Sequence, residues 1–284
     1  MSNQTDNNND IKTMKLYTHV DRIKTELTAR NLTTPIDPIV LSEIDSMHYL
    51  GNTAIEEAIK IMGLNESSTV LDVGSGFGGP ARILAASSKC KVVALELQKD
   101  IHELGAELTD RCNSSELVSH VQGDILDEQI VTQLGDGFGS FDGIVSYLVF
   151  LHIPDKAPLL DRCAQLLKPN GSMFMEDFYC IAPFTKNEDE SLSRDIYCKD
   201  LPSREVYIQQ LESAGFHNIQ FIEMTAEWTR YVTKRLDQFI ANKDRFISTH
   251  GEEAYSGLLE FYSAVATLFS GGNLGGVRIV AHKR

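Results

Sequence analysis

The stretch VLDVGSGFGGPARILA, Val70–Ala85, places one acid, Asp72, just ahead of Gly74, Gly76, Gly78 and Gly79. The apolar, β-branched residues before the glycines read as a strand. Pro80 suits the first turn of a helix. Glycines crowded between a strand and a helix let backbone come close to something. In an open α/β sheet this is where a nucleotide-like ligand binds.

Alone the pattern leaves more than one reading. Gly74, Gly76 and Gly79 satisfy G-x-G-x-x-G, which keeps a nicotinamide dinucleotide open. Glycines that serve only tight strand–helix packing are the other alternative. Two further acids narrow the choice. Glu96 ends the second apolar run, CKVVALEL, and suits the hydroxyls of a ribose. Asp124 ends the third, LVSHVQGD, where it would face an adenine amino group. No arginine follows Glu96 and no partner for a pyrophosphate stands nearby. An acid beside the glycine loop suits a ligand that carries positive charge.

Outward from the loop, short apolar runs alternate with helical ones. Strands are expected at 69–73, 90–97, 117–124, 141–149, 171–179 and in NIQFIEMTAEW, with helices between them. Such alternation gives a mostly parallel sheet covered on both faces. Before it, the spacing of Leu16, Val20, Ile23, Leu27 and Leu32 predicts a helix that Pro35 and Pro38 end. Ala54, Ala58, Ile61 and Met62 predict a second, closing near Gly63. Residues 227–270 read as two consecutive helices, and 271–284 as a turn at Gly271 and Gly272 followed by a last strand. The organisation expected is therefore a disordered tail at 1–13, a helical lid at 14–63, a core at 64–226, a helical cap at 227–270 and a final core strand at 271–284.

The chain has 284 residues and a formal net charge of −14. That charge, with no basic run, argues against nucleic acid as a partner. The apolar run FDGIVSYLVFLHIP, 141–154, is too short to cross a bilayer and carries an Asp and a His. The polar start MSNQTDNNND has no secretory pattern. The five cysteines form no C-x-x-C and no zinc-ligand spacing, so no metal is expected and the thiols suit a reducing cytoplasm.

The ordered motifs LDVGSGFGG, LEL, GDIL and LLKPNG resemble those of class I S-adenosylmethionine-dependent methyltransferases. The resemblance implies an α/β, Rossmann-like sheet of seven strands with the last, 276–282, antiparallel. It implies S-adenosylmethionine as cofactor, with Gly74, Ser75, Gly76 and Gly78 along its methionine moiety and Asp72 at its amino group. It places Glu96 and Leu97 at the ribose and Asp124 and Ile125 at the adenine, and Ser146 of the fourth strand is expected among the cofactor-binding residues.

Methyl transfer is an in-line attack on a sulfonium carbon, which positioning in a dry pocket can accelerate. A base is needed where the acceptor arrives protonated. His152, just past the fourth strand, is the candidate. Glu176 and Asp177 close the fifth strand on opposite faces, so at most one of them reaches the cleft. Tyr17, Tyr49, Phe178, Tyr179, Tyr197 and Tyr207 lie in segments able to roof it, and aromatic faces attract amines. Tyr49 and Tyr179 are the favoured pair.

The order of parts, including YLGNTAIEEAIKIMGLN, LHIPDK and LLKPNGSMFMEDFY, is similar to the phosphoethanolamine and sarcosine/dimethylglycine methyltransferases. In that group a His after the fourth strand works with an N-terminal Tyr; His152 fits the His and Tyr17 or Tyr49 the Tyr, with His152 and Tyr49 taken as the catalytic pair. Tyr17, Glu176 and Tyr179 are then expected at the acceptor. Two positions depart: the group's phosphobase members carry an acid where Leu148 stands, and their fifth strand ends Asp-Tyr where this chain has Asp177-Phe178-Tyr179. The expected activity is methylation of a small molecule, at an amine nitrogen, by a monomer or homodimer. The alternatives are methylation at oxygen or sulfur, a nicotinamide-dependent oxidoreductase, or a non-catalytic protein that keeps the cofactor fold.

Overall fold

The computed structural model describes residues 11–284 apart from Lys15, His19 and Asp136. Its centre is one sheet of seven strands: β1 Thr69–Val73, β2 Lys91–Glu96, β3 Val118–Gln122, β4 Phe141–Tyr147, β5 Leu167–Cys180, β6 Phe216–Glu223 and β7 Leu274–Lys283. In space they run β3-β2-β1-β4-β5-β7-β6. The first five are parallel, while β7 is antiparallel to both β5 and β6. This insertion of an antiparallel β7 separates the sheet from an all-parallel dinucleotide-binding one.

Alternation along the strands supplies both faces of the core. Leu71, Ile144, Met173, Met175 and Ile279 pack on one side against Leu159 and Leu160 of α6, Lys156–Leu166, and Tyr207 and Leu211 of α8, Arg204–Ser213. Val70, Val92, Ala94, Val145 and Phe174 pack on the other against α3, Asn52–Met62, and α4, Gly79–Ser88. α5, Lys99–Arg111, links β2 to β3. A third cluster, built on Met14, Tyr49, Phe178, Trp228 and Phe269, lies over the C-terminal end of the sheet and joins the N-terminal segment to the helices before β7.

The ends of the chain differ from the sequence expectation. Of the tail expected at 1–13, residues 1–10 lie outside the described residues, while Ile11–Thr13 form a 3-10 turn with the Thr13 hydroxyl 2.8 Å from that of Tyr197. The helix read over 14–34 is only α1, Arg22–Ala29. Pro38, read as a stop, opens α2, Pro38–Asp45, with Asp37 capping the Ile39 amide at 2.8 Å. The two-helix insert is three helices: α9 Thr225–Ala241, α10 Lys243–His250 and α11 Glu252–Gly271. Asn242 breaks the first by turning its side chain onto the Gln238 carbonyl at 2.7 Å, and Gly251, at φ +88°, breaks the second. α7, Lys186–Asp195, has no counterpart in the sequence reading, although Thr185 and Glu188 form a capping box at its start. The turn expected at Gly271 and Gly272 is present, with Gly272 at φ +85° closing α11.

β7 owes its position to two glycines. A Cβ on Gly275 would stand 2.2 Å from the Tyr179 ring, and one on Gly276 would stand 2.1 Å from the Trp228 indole. Trp228 is fully buried, so the indole has nowhere to go. Gly276→Ala should therefore cost about 1–3 kcal/mol by overpacking, read as a lower Tm. An unchanged Tm would mean that the indole has room this packing denies it.

Candidate active site

A cavity of about 690 Å³ lies at the C-terminal ends of β1, β2, β4 and β5. The glycine loop forms its floor. Gly74 and Ser75 both donate to the Leu95 carbonyl at 2.9 Å, and the Gly76 amide donates to Glu96 Oε2 at 3.0 Å. These bonds hold the loop against the end of β2, with Gly74 and Gly76 in the left-handed region that glycine favours. A Cβ on Gly74 would overlap Val149 at 2.4 Å.

Asp72 is buried beneath this loop on the cavity wall. Neither of its oxygens, nor the Ser75 hydroxyl, has a hydrogen-bond partner. Burial first, and Glu96 second, push the Asp72 carboxyl up to about 7, with the Ala81 amide and Arg82 acting the other way. Glu96 is also raised, mainly by burial. Its oxygens accept from the Gly76 and Gln98 amides, which leaves each a lone pair for a ligand hydroxyl. Asp124 follows β3 and turns onto the Leu126 amide at 2.9 Å. Ile125 and Leu97 line the wall beside it. A buried, unpartnered carboxylate beside exposed loop backbone fits a ligand that brings both a cation and hydroxyl groups.

His152 lies on the cavity wall at the end of a 3-10 turn, Phe150–His152. Two buried groups clamp this turn. Asp177 accepts from the Leu151 amide at 2.9 Å and from the Tyr207 hydroxyl at 2.7 Å. Lys156 donates to the Phe150 and Ile153 carbonyls at 2.6 and 2.7 Å. His152 Nδ1 lies 3.4 Å from the Tyr197 carbonyl, a contact in which the ring must donate, so Nε2 keeps the lone pair. Burial lowers the imidazole to about 4, which keeps it neutral at pH 7. Tyr17 and Tyr49 both line the cavity, Tyr17 near enough to Glu96 for that carboxylate to help burial raise its phenol.

Four expected residues stand elsewhere. Gly78 caps α4 at φ +75°, away from the wall, because a Cβ there would meet His120 and Arg82. The Ser146 hydroxyl is spent on the Val73 carbonyl at 3.0 Å, and Tyr147 lines the cavity in its place. Glu176 is buried below the site and accepts two bonds from Arg278 across the β5–β7 pair, at 2.9 and 2.7 Å. Tyr179 has the wrong parity: it packs on Phe221, on the opposite face, and donates to Glu223, while Phe178 takes the cavity side.

The structure also brings in residues that the sequence reading missed. His48 lines the cavity, bonds the Gly51 carbonyl through Nε2 at 2.9 Å and rests against Tyr147, with ring centres 5.2 Å apart. Arg235 of α9 reaches the cavity past three tyrosine rings. Neither has a local signal, since both are placed by distant packing. Among the described residues no group of three or more His, Cys, Asp or Glu side chains is arranged to hold a metal, and no helix is long and apolar enough to cross a membrane.

This sheet order, with the glycine loop after β1 and acids at the C-terminal ends of β1 and β2 and just after β3, defines the class I methyltransferase fold. Residues 71–175 match the methyltransferase domain family, so the chain carries a methyltransferase domain. It is a homologue of the phosphoethanolamine and the sarcosine/dimethylglycine N-methyltransferases. Phosphoethanolamine N-methyltransferase of Triticum aestivum is 26% identical over 220 residues, 75% of this chain and 41% of that protein. Sarcosine/dimethylglycine N-methyltransferase of Halorhodospira halochloris is 28% identical over 178 residues, 62% of each chain. Phosphoethanolamine N-methyltransferase 2 of Haemonchus contortus, solved with S-adenosyl-L-methionine, shares the fold at a TM-score of 0.76 and 18% identity, over 96% of this chain and 58% of that one. The chain spans 41% of the length of the plant phosphoethanolamine relatives.

Behind the loop, the fully buried Arg82 donates to Asp45. Arg82→Met should leave Asp45 buried without its cation and cost about 3–5 kcal/mol, read as a lower Tm. Adding Asp45→Asn should restore part of it. A single variant with an unchanged Tm would show that the pair contributes nothing.

Proposed function

We propose that this chain transfers a methyl group from S-adenosylmethionine to a small-molecule acceptor, at an amine nitrogen. The observation that carries the reading is the unpartnered Asp72 carboxylate in a cavity that also holds Glu96, Asp124 and the neutral His152. S-adenosylmethionine, when bound, supplies an electrophilic methyl on a positively charged sulfur. In this reading Gly74, Ser75 and Gly76 flank its amino-acid end, and Asp72 balances the charge of the amino group. Glu96 accepts from the ribose hydroxyls, with Leu97 packed beside them, and Asp124 and Ile125 meet the adenine.

The acceptor side is the work of this chain's own residues. Leu148, Leu151 and Phe178 exclude water and confine the two reactants. His152, its Nδ1 proton committed to the Tyr197 carbonyl, offers Nε2 to an N–H of the acceptor and takes that proton as positive charge builds on nitrogen. Tyr49 and Tyr17 close the cavity from the N-terminal side. The Asp177–Tyr207 and Lys156 contacts fix the turn that carries His152, which makes them positioning groups.

The test is binding followed by turnover. His152→Ala should keep the affinity for S-adenosylmethionine and lose about 10²–10⁴ in the rate of S-adenosylhomocysteine release with an amine acceptor. Full turnover in that variant would overturn the role of His152. Cofactor affinity should also depend on pH. In the free protein Asp72 is held near 7, and a cationic ligand favours the ionised form, so binding below that pH must expel a proton. Affinity measured by calorimetry should fall from pH 8 to pH 6, approaching tenfold per unit at the acid end. Asp72→Asn should bind more weakly and show no such slope. A slope that survives the substitution would assign the titration to another group.

A further inference from the structure

Beside the cavity lies a second, smaller pocket of about 250 Å³, walled by α1, the end of α2, α9, α10 and α11. Leu16, Met47 and Arg235 line both spaces and form the partition between them. Arg22, Ser46, Tyr231, His250 and Tyr262 line the small pocket and not the cavity. It is a separate place with its own chemistry.

This pocket holds more positive charge than it uses. Three arginines, Arg22, Arg30 and Arg235, line it with two glutamates, Glu26 and Glu43. Arg30 takes up both glutamates, at 3.2 and 3.0 Å, and Glu26 also meets His250 at 3.0 Å and Arg245 at 3.6 Å. Among the described residues no carboxylate pairs with Arg22 or Arg235. In a chain of formal net charge −14, a shortage of carboxylates at one place is not a matter of composition.

The unspent donors converge on the same space. Arg22 donates through Nη1 to the Leu16 carbonyl at 2.8 Å, and burial lowers its guanidinium from the ordinary arginine range. Nε and Nη2 of Arg235 are buried and find no acceptor. The Tyr231 and Tyr262 ring centres lie 5.6 and 4.5 Å from that guanidinium, which eases its burial, but ring faces accept none of its in-plane hydrogen bonds. The Ser46 hydroxyl is buried without a partner as well. Buried polar groups are normally paired, by the protein or by what it binds.

We propose that this pocket is a binding site for a phosphate group, free or on a small monoester. Two guanidiniums without a counter-charge call for two negative charges on one ligand. A phosphate monoester carries about −1.5 to −2 at pH 7 and three acceptor oxygens. Each guanidinium presents a fork that takes two oxygens, and the Ser46 hydroxyl adds a further donor. A carboxylate brings one charge and fills one fork. A ligand held there joins segments far apart in sequence: Arg22 on α1, Ser46 after α2 and Arg235 on α9. The same segments carry the partition, so occupancy fastens the cover of the cavity from outside it. The inference goes beyond the methyl-transfer reading and does not depend on it.

The test is calorimetric titration of the full chain with inorganic phosphate and with glycerol phosphate at constant ionic strength, acetate serving as the carboxylate control. Both phosphates should bind saturably and acetate should not. Arg22 lines only this pocket, so Arg22→Met should raise the phosphate Kd about 10- to 100-fold. Arg22→Lys, which keeps the charge and loses the fork, should fall between that variant and the parent. Ser46→Ala should raise the Kd less, about 3- to 10-fold. Added phosphate should raise the Tm of the parent and not that of Arg22→Met. A cooperative thermal transition without phosphate reports that each variant is folded, and where Arg22→Met is not, the shifts in Arg22→Lys and Ser46→Ala decide. Tighter binding of glycerol phosphate makes a monoester the ligand, and equal binding makes it free phosphate. No saturable heat from either phosphate would overturn the site. So would binding that the Arg22 and Ser46 variants leave unchanged, because the phosphate then sits elsewhere. Acetate bound as tightly as phosphate would overturn the phosphate assignment.

Discussion

The cation of Arg82, sealed behind the glycine loop, is the constraint on which the rest of the site depends. Its Nη1 donates to the Phe77 carbonyl at 2.8 Å and to the Thr109 hydroxyl at 3.0 Å, and its Nη2 donates to Asp45. Thr109 in turn lies 2.8 Å from His120 Nε2. One guanidinium thus joins α2, the glycine loop, α5 and β3. A buried cation is tolerated only when its donors are filled, so each of these elements has one acceptable position. The arginine also accounts for glycines that touch no cavity. A Cβ on Gly78 would lie 3.0 Å from its Nη1, and one on Gly105 would lie 3.1 Å from the Phe77 backbone. Gly78 is required by His120 and the cation behind the loop, Gly74 by Val149, and Gly76 by its left-handed backbone, φ +54°.

The same division explains what could be read from the chain. Strand–helix alternation is a local pattern, and with the resemblance it carried the sheet, the antiparallel last strand and the acids at the ends of β1, β2 and β3. Asp72, Glu96 and Asp124 line the cavity because strand ends in such a sheet converge there. The misses have physical causes. At the end of β5 the side-chain period of two decides everything, and the Asp-Phe-Tyr ending puts Phe178 rather than Tyr179 at the cavity. Pro38 stops a helix or starts one, and only the Asp37 cap settles which. Asn242 and Gly251 are weak breakers in a strongly periodic stretch, so three helices read as two. His48 and Arg235 are brought in by segments far apart in sequence, and no spacing announces them.

β5 shows how alternation divides labour between two neighbouring acids. Asp177 faces the side of α8 and the turn after β4, where it accepts from Tyr207 and Leu151. Glu176 faces the other side and is held by Arg278. Burial raises Glu176 to about 7 against the pull of that arginine. The hydrogen bonds these two carboxylates accept serve the fold: Asp177 fixes the turn carrying His152, and Glu176 ties β5 to β7 through Oε1, its Oε2 buried without a partner. The strand end is therefore rigid where the chemistry needs it, and the variable part of the site falls to the segments that cover it.

Those covering segments are fastened unequally. At the glycine loop, α2 is held by the fully buried Asp45–Arg82 pair, whose rupture strands a charge in the core. At the opposite edge, α1 meets α10 through Glu26, which takes Arg30 at 3.2 Å, His250 at 3.0 Å and Arg245 at 3.6 Å. Two of those three partners are substantially solvent-exposed, and pairs of that kind contribute at most about 1 kcal/mol each. The firm edge borders the loop end of the cavity, whose shape must be constant for one ligand. That second edge borders Tyr231, Arg235 and Tyr262, and there Ile23 and Leu27 of α1, rather than its ion pairs, supply the buried contacts. The two edges therefore differ in kind: a buried ion pair fixes the first, and apolar packing with partly exposed charges outside it holds the second.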